Sequence, residues 1–387
     1  MFSSTLWQIE ACSRSSVLFL KSLKCAAFAL SHGHCSSAHT VTHPSSGQKS
    51  KVSVRCRSKP QRQVCKTVLQ HFDSQYSEEL GEQWKSARDV LLNPHSWQYG
   101  VLLNRFSDLT NLEQGLRALG YTSLLPRVQS ESQSHTAHIP LQCLIHRDPV
   151  RLPNQGHQPG WLKQYFLLNA SSVLPVLALD VRDGEKVLDL CAAPGGKSLA
   201  ILQTATPWLL HCNEVDPHRN DWLLKTLESY VPTTLQHLLS VTRLDGRRVG
   251  GERPGAYDKV LVDAPCSNDR SWLYTPDTHQ GDIWLKERAQ LPLLQKQLLC
   301  SALAAVRPGG VVVYSTCTMS QAENQSVVEA VLTSYQGMEL LDLTQLIDSL
   351  SDHFGFAHLH PPVGHLVIPK KGQTWGPMYV CRLKRVY

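Results

Sequence analysis

The chain has 12 cysteines in 387 residues yet no Cys-x-x-Cys, and their spacing is irregular. A zinc centre or a disulfide framework therefore has little support, and no metal is expected. Most of the cysteines read as small buried hydrophobes in a reducing compartment. Long apolar runs are also missing, so neither a membrane span nor a secretory signal is expected. Neither phosphate-binding pattern occurs: there is no Gly-x-x-x-x-Gly-Lys-Ser/Thr and no Gly-x-Gly-x-x-Gly. What remains is 42% apolar and 18% charged, ordinary for a globular protein with a large core.

Acidic residues are nearly missing from the first 72 positions, where ten Lys and Arg face Glu10 alone. The rest of the chain carries 28 basic and 31 acidic residues, so the net charge of +6 comes from the N-terminus. Residues 1–50 are rich in Ser, Ala and His. They carry Arg14, Lys21, Lys24 and Lys49, and the apolar patches at 17–20 and 26–30 are split by Lys21 and Lys24. That composition is expected of a mitochondrial transit segment, the alternative being a disordered cytosolic tail. His32, His34 and Cys35 have no second ligand pair at a suitable spacing. Residues 51–64 are a basic linker, either the end of the presequence or an arm for phosphates.

From residue 65 the pattern changes. Val68, Leu69, Phe72, Tyr76 and Leu80 fall at helical spacing, as do Trp84, Ala87, Val90 and Leu91. A strand or helix pair over 99–106 and 112–119, with Gly120 as a stop, completes a helical accessory region expected over 65–160. From 161 to 387 short apolar runs alternate with helical stretches. Strands are expected at 187–191, 208–213, 238–244, 257–264 and 311–315, with an antiparallel pair at 366–368 and 378–383. A helix at 291–306 stops at Arg307-Pro-Gly-Gly310. This alternation predicts a doubly wound α/β sheet of Rossmann-like type, whose ligands sit beyond the carboxyl ends of the strands.

Every chemically suggestive residue falls at such an end. The run 187–191 breaks into Cys191-Ala192-Ala193-Pro194-Gly195-Gly196-Lys197, a turn of small residues opening a helix. There the backbone can approach a ligand and unpaired N–H groups face it. Lys197 reads either as part of that cradle or as a solvated cation at a helix start. Glu214 ends the next strand, the offset at which a carboxylate grips a ribose diol. Asp245, Asp263, Cys266 and Cys317 follow later strands. Neighbouring strands would bring the two thiols to one small substrate. Beside a nucleoside cofactor, such a pair suits addition to an electron-poor ring: one thiolate adds, and the other assists proton removal and elimination.

Asp189-Leu-Cys-Ala-Ala-Pro-Gly-Gly-Lys197, Asp263-Ala-Pro-Cys266-Ser and Ser315-Thr-Cys317-Thr resemble, in order and separation, the signatures of the Sun-domain (Nol/Nop/Sun) RNA cytosine-5 methyltransferases. The resemblance implies S-adenosylmethionine as cofactor, a Rossmann-like methyltransferase domain over 161–387, and RNA as partner. It implies Cys317 as the nucleophile and Cys266 in product release. Cys191 to Lys197 would hold the methionine portion, Glu214 the ribose and Asp245 the adenine, with Asp263 beside the methionine and the target base. Cys266-Ser-Asn-Asp-Arg-Ser-Trp-Leu, Trp375-Gly-Pro-Met-Tyr-Val and Tyr76-Ser-Glu-Glu-Leu-Gly are similar to the branch acting on the wobble cytosine of mitochondrial methionine tRNA, which implies the mitochondrial matrix. An enzyme for mitochondrial ribosomal RNA, or a non-catalytic RNA-binding factor, are the alternatives; retention of both cysteines argues against the second. Many members carry Gln-Asp where this chain has Leu168-Asn169, so a role for that Asp is not implied. Clusters at Arg147, Arg151, Lys163 and at Arg382, Lys384, Arg385 are candidate phosphate contacts.

A reporter fused to residues 1–60 should enter mitochondria and be shortened there. A diffuse full-length cytosolic signal in fractionated cells would reject the transit reading.

Overall fold

The computed structural model describes residues 63–125, 141–274 and 278–387. The transit segment expected at 1–50 and the linker as far as residue 62 lie outside the described residues. Two helices come first, α1 (Lys66–Leu80) and α2 (Glu82–Leu91), separated by Gly81 at φ +55°. Val68, Phe72, Tyr76 and Leu80 recur every fourth residue and all are buried, as the spacing predicts. This stripe shares one apolar cluster with Leu188, Val260, Val262 and Tyr314 of the main sheet.

The accessory region is not helical throughout. Strands β1 (Gly100–Leu103), β2 (Thr122–Ser123), β3 (Cys143–Ile145) and β4 (Tyr165–Leu168) form an antiparallel sheet in the order β2-β3-β1-β4. The physical reason is pairing on both sides of one short run. Val101 lies opposite Leu144 on one flank and Leu167 on the other, which a four-residue apolar run achieves and a helix of that length would not. Helix α3 (Thr110–Ala118) carries an Arg117–Glu113 ion pair at 2.9 Å.

The remaining elements follow in alternation. They are α4 (Leu174–Leu179), β5 (Lys186–Asp189), α5 (Gly196–Thr204), β6 (Leu209–Asn213), α6 (Pro217–Tyr230), β7 (Leu239–Thr242), α7 (Val249–Glu252) and β8 (Tyr257–Asp263). Then come α8 (Asp269–Trp272), α9 (Thr278–Arg288), α10 (Leu291–Ala305), β9 (Val306–Thr316), α11 (Gln325–Ser334), β10 (Met338–Leu340), α12 (Thr344–Leu350), β11 (His365–Val367) and β12 (Met378–Arg385). The sheet order is β10-β12-β9-β8-β5-β6-β7, with β11 paired to β12. Strands β5 to β9 are mutually parallel, and β12 joins β9 antiparallel. The chain runs outward from β5 to β7 and then crosses back to β8, so the topological switch lies between β5 and β8.

Side chains alternate between the two faces. Val187, Leu261 and Val313 join one cluster with α4 to α6, while Leu188, Val260 and Val312 join the other with α10 and α11. Each large aliphatic side chain so buried contributes about 1.5–3 kcal/mol. Helix α10 ends at Ala305, before Arg307-Pro-Gly-Gly310 as expected, and those four residues form a bulge inside β9. Tyr257 pairs with Val306 and Lys259 with Val311, so residues 307–310 lie opposite Asp258 alone. Proline has no donor for the ladder, and Gly309 at φ +76° accommodates the bend.

Where α7 meets α10 the helices touch closely. Gly250 N donates to Ser301 Oγ at 2.9 Å, and a β-carbon at Gly250 would overlap the Ser301 carbonyl. At Gly251 a β-carbon would meet open space. Gly250→Ala should therefore destabilise the fold by about 1–3 kcal/mol, and Gly251→Ala should not. Chemical denaturation of both variants tests this, and equal midpoints would refute the contact.

Candidate active site

Strand β5 ends at Asp189, two residues before the sequence pattern suggested, and the turn that follows is held by backbone bonds. Leu190 N donates to Leu261 O at 2.9 Å, Ala192 N to Asn213 O at 2.8 Å, and Gly195 N to Ala192 O at 2.8 Å. Gly195 stands at φ +106°, a conformation that an L side chain adopts only with strain, and α6 packs directly behind it. Arg219 Nη2 donates to Ala193 O at 2.8 Å, steadying the turn from that helix. No side chain caps the amino end of α5, so its first N–H groups are free to meet an anionic ligand atom. Cys191 through Lys197 thus form one cradle at the switch point.

Asn213, which sequence reasoning passed over, ties three strand ends together. Its Nδ2 donates to Leu190 O and Leu244 O, and its Oδ1 accepts from Leu244 N at 2.8 Å. The next residue, Glu214, is 3% exposed. Its Oε1 accepts from Asp216 N at 3.0 Å, while Oε2 receives no hydrogen bond and has Arg219 Nη1 at 3.4 Å as its ionic neighbour. A buried carboxylate oxygen lacking a donor fits a ligand hydroxyl. Asp245 lies beyond β7 with its carboxylate gripped by Arg247 at 2.6 Å, which holds its pKa below the ordinary range.

On the other side of the cradle, Lys197 Nζ meets Asp263 Oδ2 at 2.7 Å, and Ser315 Oγ donates to Asp263 Oδ1 at 3.0 Å. Burial opposes the ammonium's charge, but Asp263 outweighs it and Lys197 stays above its ordinary pKa. This decides between the two readings of Lys197: it is an internal partner, not a solvated helix-start cation. Beyond Asp263 and Thr316 the chain places Cys266 and Cys317 side by side, Sγ to Sγ 3.3 Å, with Cys317 N donating to Cys266 Sγ. The hydrogen bond with Cys317, and then burial, push the Cys266 thiol well above its ordinary pKa.

A buried polar network underlies both cysteine loops. Ser267 donates to Glu323 from Oγ (2.7 Å) and from N (3.0 Å). Thr318 Oγ1 and Met319 N donate to Asp269, as does Tyr76 Oη from α1 at 2.9 Å. Arg288 donates to Tyr76 Oη at 2.7 Å and lies 3.4 Å from Glu323. Burial raises the carboxyls of Asp269 and Glu323, the Arg288 charge pulling back on each. Nothing in the local sequence marks Arg288 for this place; only the packing of α9 against α1 brings it there.

Asn169, the departure from the family pattern, pins a loop. Its Nδ2 donates to Gly376 O at 2.9 Å and its Oδ1 accepts from Gly376 N at 3.1 Å. A carboxylate could accept but not donate, so an amide suits this position. Arg270 holds the same loop through Thr374 O. Of the expected phosphate clusters, the C-terminal one does not stand at this face. Arg385 donates to the carbonyls of Leu303, Ala304 and Val306, and Lys384 pairs with Val311, far along β9 from Thr316. The antiparallel course of β12 carries these residues away from the strands' carboxyl ends.

A family model described as 16S rRNA methyltransferase RsmB/F matches residues 176–384. A Danio rerio protein named mitochondrial tRNA (cytosine(34)-C(5))-methyltransferase is 72% identical, over 97% of this chain and all of its own length. A 5-cytosine rRNA methyltransferase of Xenopus tropicalis is 35% identical, over 84% of this chain and 92% of its own. Among solved structures, a methyltransferase homologue from Pyrococcus horikoshii shares the fold, with a TM-score of 0.55 at 22% identity over 83% of this chain and 98% of that one.

One carboxyl of the cradle reports on pH. Asp189, fully buried, accepts from Ser198 Oγ at 2.6 Å, and burial pushes its pKa up to about 7 from 3.8. The folded state then holds a proton that the unfolded chain has lost. The resulting stability is complete below about pH 4 and is lost as pH rises through about 7. Relative to Asp189→Asn, the wild type should lose thermal stability across that window, and parallel melting profiles would contradict the assignment.

Proposed function

The chain belongs to the RsmB/F methyltransferase family, the Sun-domain family that its motifs resemble, and from that premise we propose that it methylates carbon 5 of a cytosine in RNA. The methyl donor is S-adenosylmethionine. We assign as substrate the wobble cytosine of mitochondrial methionine tRNA, with the matrix as the place of action. The higher identity to the relative named for cytosine 34, 72% against 35% for the one named for rRNA, favours tRNA over the ribosomal alternative. The observation that carries the reading is the pair of thiols 3.3 Å apart at the carboxyl ends of adjacent strands, next to the Lys197–Asp263 pair.

The residues divide the work. The turn from Cys191 to Lys197 would receive the methionine portion of the cofactor, the unsatisfied Glu214 oxygen its ribose, and Asp245 its adenine side. When bound, that cofactor supplies an electrophilic methyl group. Cytosine carbon 5 is a weak nucleophile until a thiolate adds at carbon 6. The resemblance assigns the attacking thiolate to Cys317, while the hydrogen bond between the two, and then burial, hold the neighbouring Cys266 as a thiol at this stage. Its sulfur bonds to carbon 6 and the carbon 5–carbon 6 electron pair moves into the ring, making carbon 5 able to accept the methyl group. Afterwards Cys266 gives up its thiol proton to solvent and, as a strongly basic thiolate, takes the carbon 5 proton; the carbon 5–carbon 6 double bond re-forms and the sulfur–carbon 6 bond breaks to return the Cys317 thiolate.

Cys317→Ala should give neither methylated product nor covalent complex. General acid–base assistance is worth roughly a hundred- to ten-thousand-fold. Cys266→Ala should therefore accumulate a denaturant-resistant protein–RNA adduct that the double variant lacks. Denaturing gels with the anticodon stem-loop of methionine tRNA read both outcomes. An adduct surviving without Cys317 would reverse the roles, and a wild type that leaves cytosine 34 unmodified would remove the assignment.

A further inference from the structure

Resting on the reading of the chain as an RNA methyltransferase, we propose that the groove between β4 and α6 seats a single-stranded nucleotide flanking the target cytosine, its base stacked on Trp222 and its phosphate facing Lys163 and Lys225. The groove has a volume of about 700 Å³ and is open to solvent along α6. Pro194 of the cofactor turn forms one wall, so the groove is continuous with the cradle. Its floor is aromatic: Phe166 and Tyr230 meet edge to face with centroids 5.6 Å apart. Phe166 also lies against Gly196, where a β-carbon would come within 3.0 Å of the ring. The groove floor is thus built onto the first residue of α5.

Two features of this surface are turned outward. Trp222 is 62% exposed on α6, although an indole is large enough to anchor a core. An exposed aromatic beside a cleft marks a contact surface, and every nucleobase offers a π-face for stacking. Lys163 and Lys225 line the same groove, and among the described residues neither is ion-paired; Lys163 lies over the Tyr230 ring at 5.6 Å. Glu228, the one carboxylate on the rim, leaves the local balance positive. That local balance matters because the chain after Phe72 sums to three negative charges, so RNA must be held by clusters and not by the overall field. Aromatic floor, exposed indole and unpaired cations together suit an unstacked loop nucleotide, whereas a duplex would present only its backbone to a cleft of this size.

The test uses the full chain and a hairpin RNA containing the target cytosine. Trp222→Ala should raise KM for the hairpin by about five- to a hundredfold, with the change falling on KM and not on kcat. Trp222→Phe should recover most of it. Lys225→Ala should reduce the slope of log affinity against log salt by about one unit. Affinity for S-adenosylmethionine, measured by calorimetry on the same variants, should stay at the wild-type value. A wild type that methylates the hairpin while Trp222→Ala keeps its KM and RNA affinity would overturn the groove assignment alone. A loss confined to cofactor affinity would also overturn it. Absence of methylation by the wild type would instead strike the enzymatic reading, while direct RNA binding by the variants would still decide the groove.

Discussion

The ion pair between Lys197 and Asp263, 2.7 Å long and mostly buried, is the contact on which the site depends. Lys197 opens α5 after the first parallel strand, and Asp263 ends the strand on the other side of the switch. Joining them closes the crevice that a doubly wound sheet leaves at that point. Asp263 also accepts from Ser315, so one carboxylate couples the cofactor turn to the strand that leads into Cys317. Removing either charge would leave the other buried without compensation, at a cost of about 3–5 kcal/mol.

The cysteine pair is held in a different way. Two carboxylates, one guanidinium and a tyrosine hydroxyl lie beneath it, and their hydrogen bonds reach Ser267 and Thr318, the residues next to the two thiols. The N-terminal helix supplies Tyr76 to this network. It also anchors the loop after Cys317 through Gln75 to Ser320 and Glu79 to Gln321 N. Such networks are costly when incomplete and specific when satisfied. The accessory helix is therefore part of the scaffold beneath Cys317: it holds the loop that follows that thiol, and its apolar stripe is shared with the main sheet.

Histidine 211 shows the same economy on the cofactor side. It is fully buried between Tyr257 and Thr242, and burial lowers its pKa to about 4, so it is a neutral bridge at physiological pH. Thr242 passes the contact on to Asn213, which holds the ends of β5 and β7. A chain of neutral polar groups thus runs inside the sheet to the cradle, with no charge to be compensated.

The parallel core was legible because buried strands are short apolar runs bounded by small or polar turn residues. The ends at Asp189, Asn213, Asp263 and Thr316 lie within two residues of the expected ones, although β9 begins five residues earlier than expected, and the candidate residues fall at or after the carboxyl ends of β5 to β9. The bulge at Arg307 to Gly310 was not legible, and Gly100–Leu103 was legible only as either strand or helix, since the choice depends on which partner strand is supplied. Sequence alone determined the order of the parallel elements, the small-residue turn at 191–197 and the placing of Cys266 and Cys317 after neighbouring strands, which are local properties of residue type and spacing. Only the tertiary structure decided that the thiols touch, that Lys197 pairs inward, that Arg385 caps a helix, and that Arg288 and Tyr76 meet beneath the site. Those contacts join residues far apart in the chain, and no local pattern encodes which distant charge a buried group will find.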